Sequence, residues 1–401
     1  MSKTKKIIIL TFIGIVCVAG LYFAWKVVFG TPIDQGTTET GGINSFPQGI
    51  TNMNGVIGGS GENGNGEGGG NENTSTTEMF GEKIPTLEKL SNQEIVFFWI
   101  NKKTGETFYT TPDGDIYLAK EMGDQKISPQ SVGTIYSLEP NQTGEKILAF
   151  FGERTNKRSG IFDIIDKTWK PLPSEILSAT WGTSEKKLFG LIRVGAGKDL
   201  VEINTEKTPP TYKTLLKDFV LNDVSISVVP NDRIFIYEKS SAFYSPRLWE
   251  FNPKDSSVSL IIQSTPGGVF GFSKDMKNVF TLFPDKKQLS VVTNSIKTTT
   301  YADFFTVPDK CDMFASTTYC FVPQEQNDVV GFFGAYDQRK IFTSDTLMKF
   351  NVSTNEIGVL SASGALPNKT DASNVLFFEN YIYFKNRYDN FLYRLDISKE
   401  L

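Results

Sequence analysis

Histidine is absent from all 401 residues, which removes Ser-His-Asp and Cys-His hydrolases, His-ligated zinc and proximal-His haem together. Cysteine is nearly as scarce. Cys17, Cys311 and Cys320 show no CxxC spacing, so they make a poor metal site. An excess of one charge is also missing. The 41 Lys and Arg against 45 Asp and Glu leave a net charge of −4, without the basic face that a nucleic-acid protein needs. No motif points to a cofactor. Helical periodicity is weak throughout, apart from one apolar run at the start. Aromatic residues are plentiful instead: 32 Phe, 14 Tyr and 5 Trp.

Residues 1–30 read as a basic stub and a membrane anchor. Lys3, Lys5 and Lys6 precede an uncharged run over residues 7–25. At about 1.5 Å per residue such a helix spans roughly 28 Å, close to the hydrocarbon thickness of a bilayer. Tyr22, Trp25 and Lys26 fall where the far interface would lie, and the leading lysines predict a cytoplasmic N-terminus with the rest exported. The rival reading is a cleaved signal peptide, cut near Val18-Ala19-Gly20. The run is long for that, so a single-pass anchor in the cell membrane is expected.

Residues 31–85 read as a linker. Of the 49 residues from Thr31 to Met79, 31 are Gly, Thr, Asn or Ser, and none is Lys or Arg. Such a segment buries too little apolar surface to offset its ordering entropy, so disorder is expected. As a coil it would reach about 35–42 Å from the membrane on average. Gly55–Gly70 lacks the Gly-Lys-Ser/Thr ending of a phosphate loop.

Residues 86–401 read as strands. An apolar-x-x-apolar unit followed by Asp or Asn recurs at Phe162–Asp166, Leu200–Asn204, Leu248–Asn252, Leu347–Asn351 and Leu392–Asp396. It describes a buried strand that ends in an Asx turn and feeds a further strand. Upstream lies a second unit, apolar stretch, polar turn and apolar strand, as in Trp181–Phe189 and Phe272–Phe280. Together they make four strands per repeat. First strands then start near Ile95, Thr134, Ile176, Asp223, Gly268, Asp309 and Ser373, at spacings of 39, 42, 47, 45, 41 and 64. Four-stranded units of about 40–45 residues predict an all-β, seven-bladed propeller with antiparallel blades. The long sixth unit carries an insertion at Gln324–Ser344; promoting it to a blade would give eight. The last unit lacks an outer strand, and Thr86–Ser91 is expected to supply it and close the ring.

These repeats resemble WD40-like and TolB-type propeller repeats, whose first turn reads roughly Ser-Pro-Asp-Gly-Lys. Phe272-Ser273-Lys274-Asp275 and Val229-Pro230-Asn231-Asp232 are degenerate forms of it, without the Trp-Asp or Gly-His dipeptides of true WD40 repeats. The layout is also similar to membrane-anchored propeller proteins of uncultivated small-genome bacteria. In those a Lys-Cys pair and a Tyr-Cys-x-x-Pro element recur in a late blade, as Lys310-Cys311 and Tyr319-Cys320-Phe321-Val322-Pro323 do here. The resemblance implies the fold and no activity.

Cys311 and Cys320 stand across the first turn of blade six, where opposed positions can meet disulfide geometry, so a structural bridge is expected in an exported domain. Asp113-Gly114-Asp115, Asn231-Asp232 and Asn252–Asp255 are turn chemistry before they are metal ligands. The aromatics with the best claim to a binding role lie in predicted loops: Phe243, Tyr244 and, in the insertion, Phe332, Phe333 and Tyr336. Two functions follow. One is a tethered, extracytoplasmic binding or scaffold module for a protein, peptide or glycan. The alternative is an exported carboxylate-dependent glycoside hydrolase or lyase, with several Asp or Glu converging at the channel.

Overall fold

The computed structural model describes residues 86–400, apart from 154–155, 222–223, 231, 294–297 and 326–331. The proposed anchor and linker therefore lie outside the described residues. Among those described, no helix is long and apolar enough to cross a membrane. Their strands form seven antiparallel sheets of four.

The first strands of blades one to seven are Phe98–Ile100, Ile135–Pro140, Ile176–Trp181, Val224–Val229, Val269–Phe272, Cys311–Phe314 and Ala372–Phe378. Neighbouring first strands touch, as in blades two and three, three and four, and six and seven, so they form the inner wall of the ring. Each gap between blades is filled by apolar side chains from both sides. Blades one and two share Trp99, Phe108, Ile147 and Phe162, and blades three and four share Phe189, Leu200, Ile234 and Phe251. Blades seven and one share Tyr383 and Leu392 with Ile95 and Tyr109, which completes the circle. The period of two along each second strand explains this. Alternate side chains face opposite neighbours, so these strands are apolar on both faces rather than on one.

Third strands end where the repeat predicts, and the Asx turns are present. Asn204, Asn252 and Asn351 each accept a backbone N–H two residues on, at 2.9, 3.0 and 2.9 Å, and Asp396 does so at 2.9 Å. Blade two corrects the reading by three residues. Its turn residue is Asp163, which accepts from Ile165 N at 3.0 Å, and Phe162 is the buried residue before it. Ile164-Ile165-Asp166 imitates the motif inside the turn.

The outer strand of blade seven is Leu87–Lys89, paired with Leu392–Asp396 through Leu87↔Leu395, Glu88↔Arg394 and Lys89↔Tyr393. The insertion leaves blade six after Thr317–Pro323 and returns at Asp345–Asn351. It carries a short helix, Phe332–Asp337, and no further sheet among the described residues, so the count is seven blades.

Cys311 faces Cys320 in the antiparallel register of blade six, and a disulfide joins them with 4.2 Å between their Cα atoms. Closing so short a loop contributes about 2–3 kcal/mol on the chain-entropy model. Reduction should lower the unfolding free energy by that amount without unfolding the ring. A thiol titration of the denatured, non-reduced chain should find neither Cys311 nor Cys320 free.

Candidate functional site

Antiparallel blades give the ring two faces. One carries the turns between first and second strands; the other carries the connections between second and third strands. The aromatics proposed from sequence all belong to the second face, and the structure separates them. Phe243 is 95% exposed and Tyr244 46% exposed on the blade-four connection. Tyr336, in contrast, is buried at 5%. Its ring lies 3.6 Å from the Arg387 guanidinium carbon, and its hydroxyl donates to Asp371 at 3.2 Å. Phe332 packs edge-on against Phe305 with centroids 5.0 Å apart and stacks on Tyr336. These two anchor the insertion instead of facing outward, because six residues of helix bury more apolar area by docking on the ring. The Phe333 side chain lies outside the described residues. The exposed aromatics at this end are others: Phe342 and Tyr388, 43% and 42% exposed and stacked at 5.2 Å.

Under this pair lies a buried ionic cluster that the sequence did not disclose. Lys310 is fully buried; its Nζ donates to Asp371 Oδ1 at 2.7 Å, to Thr343 Oγ1 at 2.8 Å and to Asp345 Oδ2. Arg387 pairs with the other Asp371 oxygen at 3.0 Å. Asp345 also receives Ala372 N at 2.8 Å. Burial pushes the Asp345 carboxyl upward against the pull of Lys310. The cluster joins the returning end of the insertion to blade seven, which is a structural task.

The opposite face holds the mouth of the central channel. A cavity of about 430 Å³ there is lined from six blades, including Trp99, Glu139, Trp181, Val229, Lys274 and Leu376. Close packing of first turns shapes it. Gly144, at φ +81°, brings its turn so near blade one that an added Cβ would sit 2.3 Å from Ile100 O, and Trp99 Nε1 donates to Gly144 O at 3.2 Å.

Glu139 ends the first strand of blade two and faces blade three. Its Oε1 accepts Thr180 Oγ1 at 2.6 Å and Trp181 N at 3.1 Å, while Trp181 Nε1 donates to Glu139 O at 3.0 Å. Burial pushes its carboxyl up to about 7, outweighing both hydrogen bonds, and no cation is among the groups that bias it. Asp312, on the first strand of blade six, is buried differently. It accepts Lys274 N at 2.9 Å and Phe377 N at 2.8 Å, tying blade six to blades five and seven. Burial raises it too.

Glu139 therefore weakens the fold at neutral pH. Its folded value stands above the ordinary 4.5, so the folded state holds a proton that the unfolded chain releases between about pH 4.5 and 7. Stability falls as pH rises through that window, by about 1.4 kcal/mol per pH unit at most. Glu139→Gln keeps the acceptor oxygen and removes the charge. It should be more stable than the unaltered chain by about 3 kcal/mol at pH 8 and equal to it near pH 4, read from paired denaturant titrations.

The repeat contains the signal for Glu139. Leu138-Glu139-Pro140-Asn141 parallels Val228-Val229-Pro230-Asn231, so a carboxylate occupies a place that is apolar in blade four. Among the described residues, no group of three Cys, Asp or Glu is placed to hold a metal.

The chain matches no protein-family model and no curated protein by sequence. Solved structures do match. The β-propeller domain of Cps50 (Swd1) from Myceliophteria thermophila aligns with a TM-score of 0.50 and 8% identity, over 78% of this chain and 99% of that one. The tricorn protease aligns at 0.47 and 12% identity, over 79% of this chain and 34% of that one. TolB from Acinetobacter baumannii aligns at 0.35 and 11%, over 76% and 63%. This is a seven-bladed β-propeller. The likeness to WD40-like and TolB-type propellers is one of fold, and the chain spans about a third of the tricorn protease.

Proposed function

We propose that this propeller is a non-enzymatic binding module, held outside the cell membrane by residues 7–25 and a flexible tether, that recruits a protein, peptide or glycan partner. The supporting observation is the face that carries the second-to-third-strand connections. Phe243, Tyr244, Phe342 and Tyr388 stand exposed there on three different blades. Exposed aromatics on a rigid scaffold are the side chains from which binding hot spots are made. Phe342 and Tyr388 are also backed by the buried Lys310 cluster, so they meet a partner already ordered.

Phe243→Ser should leave the melting temperature unchanged, since that side chain is 95% exposed, and Phe342→Ser should lower it only slightly, through loss of the stack on Tyr388. Together they should weaken partner capture from solubilised membranes of the native cell at least ~tenfold, as loss of two hot-spot aromatics does. Unchanged capture would place the contact elsewhere.

The hydrolase or lyase alternative rests on Glu139, a carboxyl with a raised pKa in a cavity. An acid pair needs a second carboxylate about 5–10 Å away. The other carboxylate lining the mouth, Asp275, is engaged in its own turn by Ser273 Oγ at 2.6 Å and Lys277 N at 3.0 Å. The binding reading is therefore preferred.

A further inference from the structure

The Glu139 cavity lies on the face opposite the exposed aromatics and needs its own explanation. Its volume falls within the range of about 300–1,000 Å³ common to small-ligand pockets. Glu139 is held in place by Thr180 and Trp181 through Oε1, and no Lys or Arg is among the groups that bias it. A pre-oriented carboxylate without a counter-charge, inside a pocket walled partly by indole rings, is a receptor for positive charge. The surroundings narrow the choice. Lys102, Lys274 and Lys277 line the same mouth, and Lys277 is paired with Asp275 at 3.4 Å. Lys102 and Lys274 remain exposed at the rim. They repel a polycation and attract a carboxylate carried beside the entering charge.

We propose that the channel mouth binds a single ammonium or guanidinium group at Glu139, borne on a ligand that presents a carboxylate to the rim lysines. Two sources share this chemistry: a free basic amino acid, and a Lys or Arg side chain in an acidic segment of a protein. The alkyl stem lies against the apolar wall offered by Trp181, Val229 and Leu376. Binding draws Glu139 into its charged form, so the complex releases a proton at pH values below about 7. The other charged groups that line this mouth are Lys102, Lys274, Lys277 and Asp275. Tyr237, on the far side, is raised by burial and stays neutral.

The test is calorimetric titration of the purified full-length chain, and of Glu139→Gln, with free lysine, free arginine, free ornithine and a blocked acidic peptide containing one central lysine. The expected result is one saturable site that tightens from pH 6 to pH 8, releases protons near pH 6.5 and weakens at least ~tenfold in Glu139→Gln, the loss typical of an unpaired buried charge partner. Tighter binding of the peptide than of free lysine assigns the ligand to a protein partner; the reverse assigns it to a free basic amino acid. Absence of saturation by all four probes up to about 10 mM overturns the proposal, as does equal binding by Glu139→Gln. Should that variant fail to fold, proton release by the unaltered chain, compared in two buffers of different ionisation enthalpy, decides. Because the cavity and the aromatic face are separate, amine binding can fail while Phe243 and Phe342 still govern capture, and the reverse.

Discussion

Replacing Lys310 with Met is expected to destabilise the ring by about 3–5 kcal/mol, the usual cost of breaking a buried ion pair from one side. Met keeps most of the stem volume and removes the ammonium. Asp345 then keeps the Ala372 N–H at 2.8 Å and the influence of the Thr343 hydroxyl, while Asp371 retains Arg387 at 3.0 Å. The damage therefore concentrates on Asp345. Its carboxyl is raised by burial even with Lys310 present, so without Lys310 it takes a proton more readily still. The loss should be full at pH 8 and shrink toward acid pH, as Asp345 is neutralised in the folded state. Adding Asp345→Asn to Lys310→Met should recover part of the loss, because it removes the stranded charge. Denaturant titrations of the single and double variants at pH 8 and pH 5 check this. Equal losses at both pH values, or no recovery, would show that Lys310 acts by packing alone. The same variant should loosen Phe342 and Tyr388, since Thr343 and Tyr336 hold the end of the insertion through this cluster.

The contrast between Lys310 and the propeller repeat shows what a single chain discloses. Repeats are legible because each blade meets the same physical demand. Leu200–Asn204, Leu248–Asn252 and Leu392–Asp396 must each bury a strand and then reverse it. The blade-two motif falls three residues late because Ile165, apolar by composition, is 69% exposed in the turn. Side-chain destinations in the insertion were not legible. Phe332 and Tyr336 look like loop aromatics, and only the docking of their helix on Phe305 and Arg387 makes them core. Lys310, Asp345, Asp371 and Arg387 are scattered over a span of 78 residues, so no local pattern could join them. Glu139 lies between these cases. It breaks a repeat column visibly, but what faces it comes from blade three and was out of reach.

Removing the closing strand should have the largest effect of all. Truncation that leaves the chain starting at Ser91 deletes the partner of Leu392–Asp396. With it go the Leu90 N–H to Leu392 O bond at 2.8 Å, the Asp396 N–H to Thr86 O bond at 3.1 Å and the Arg394–Glu88 ion pair. It also removes Leu87 from the core between blades six and seven, and Lys89, whose Nζ lies 3.2 Å above the Phe391 ring. An antiparallel strand is left with unpaired N–H and C=O groups along its outer edge, a template for a second chain. Two outcomes are expected together: a fall of the unfolding midpoint well beyond that of Leu87→Ala, and concentration-dependent dimers or aggregates in light scattering. Leu87→Ala alone deletes about three methylene-sized groups from a half-buried site and should cost about 1–3 kcal/mol while the truncated edge stays covered. The comparison separates packing from edge protection. If the truncated chain stayed monomeric with only the Leu87→Ala loss, the strand would be an ornament on blade seven. The ring would then be held by the Tyr383, Leu392, Ile95 and Tyr109 contact between blades seven and one, which the truncation leaves in place.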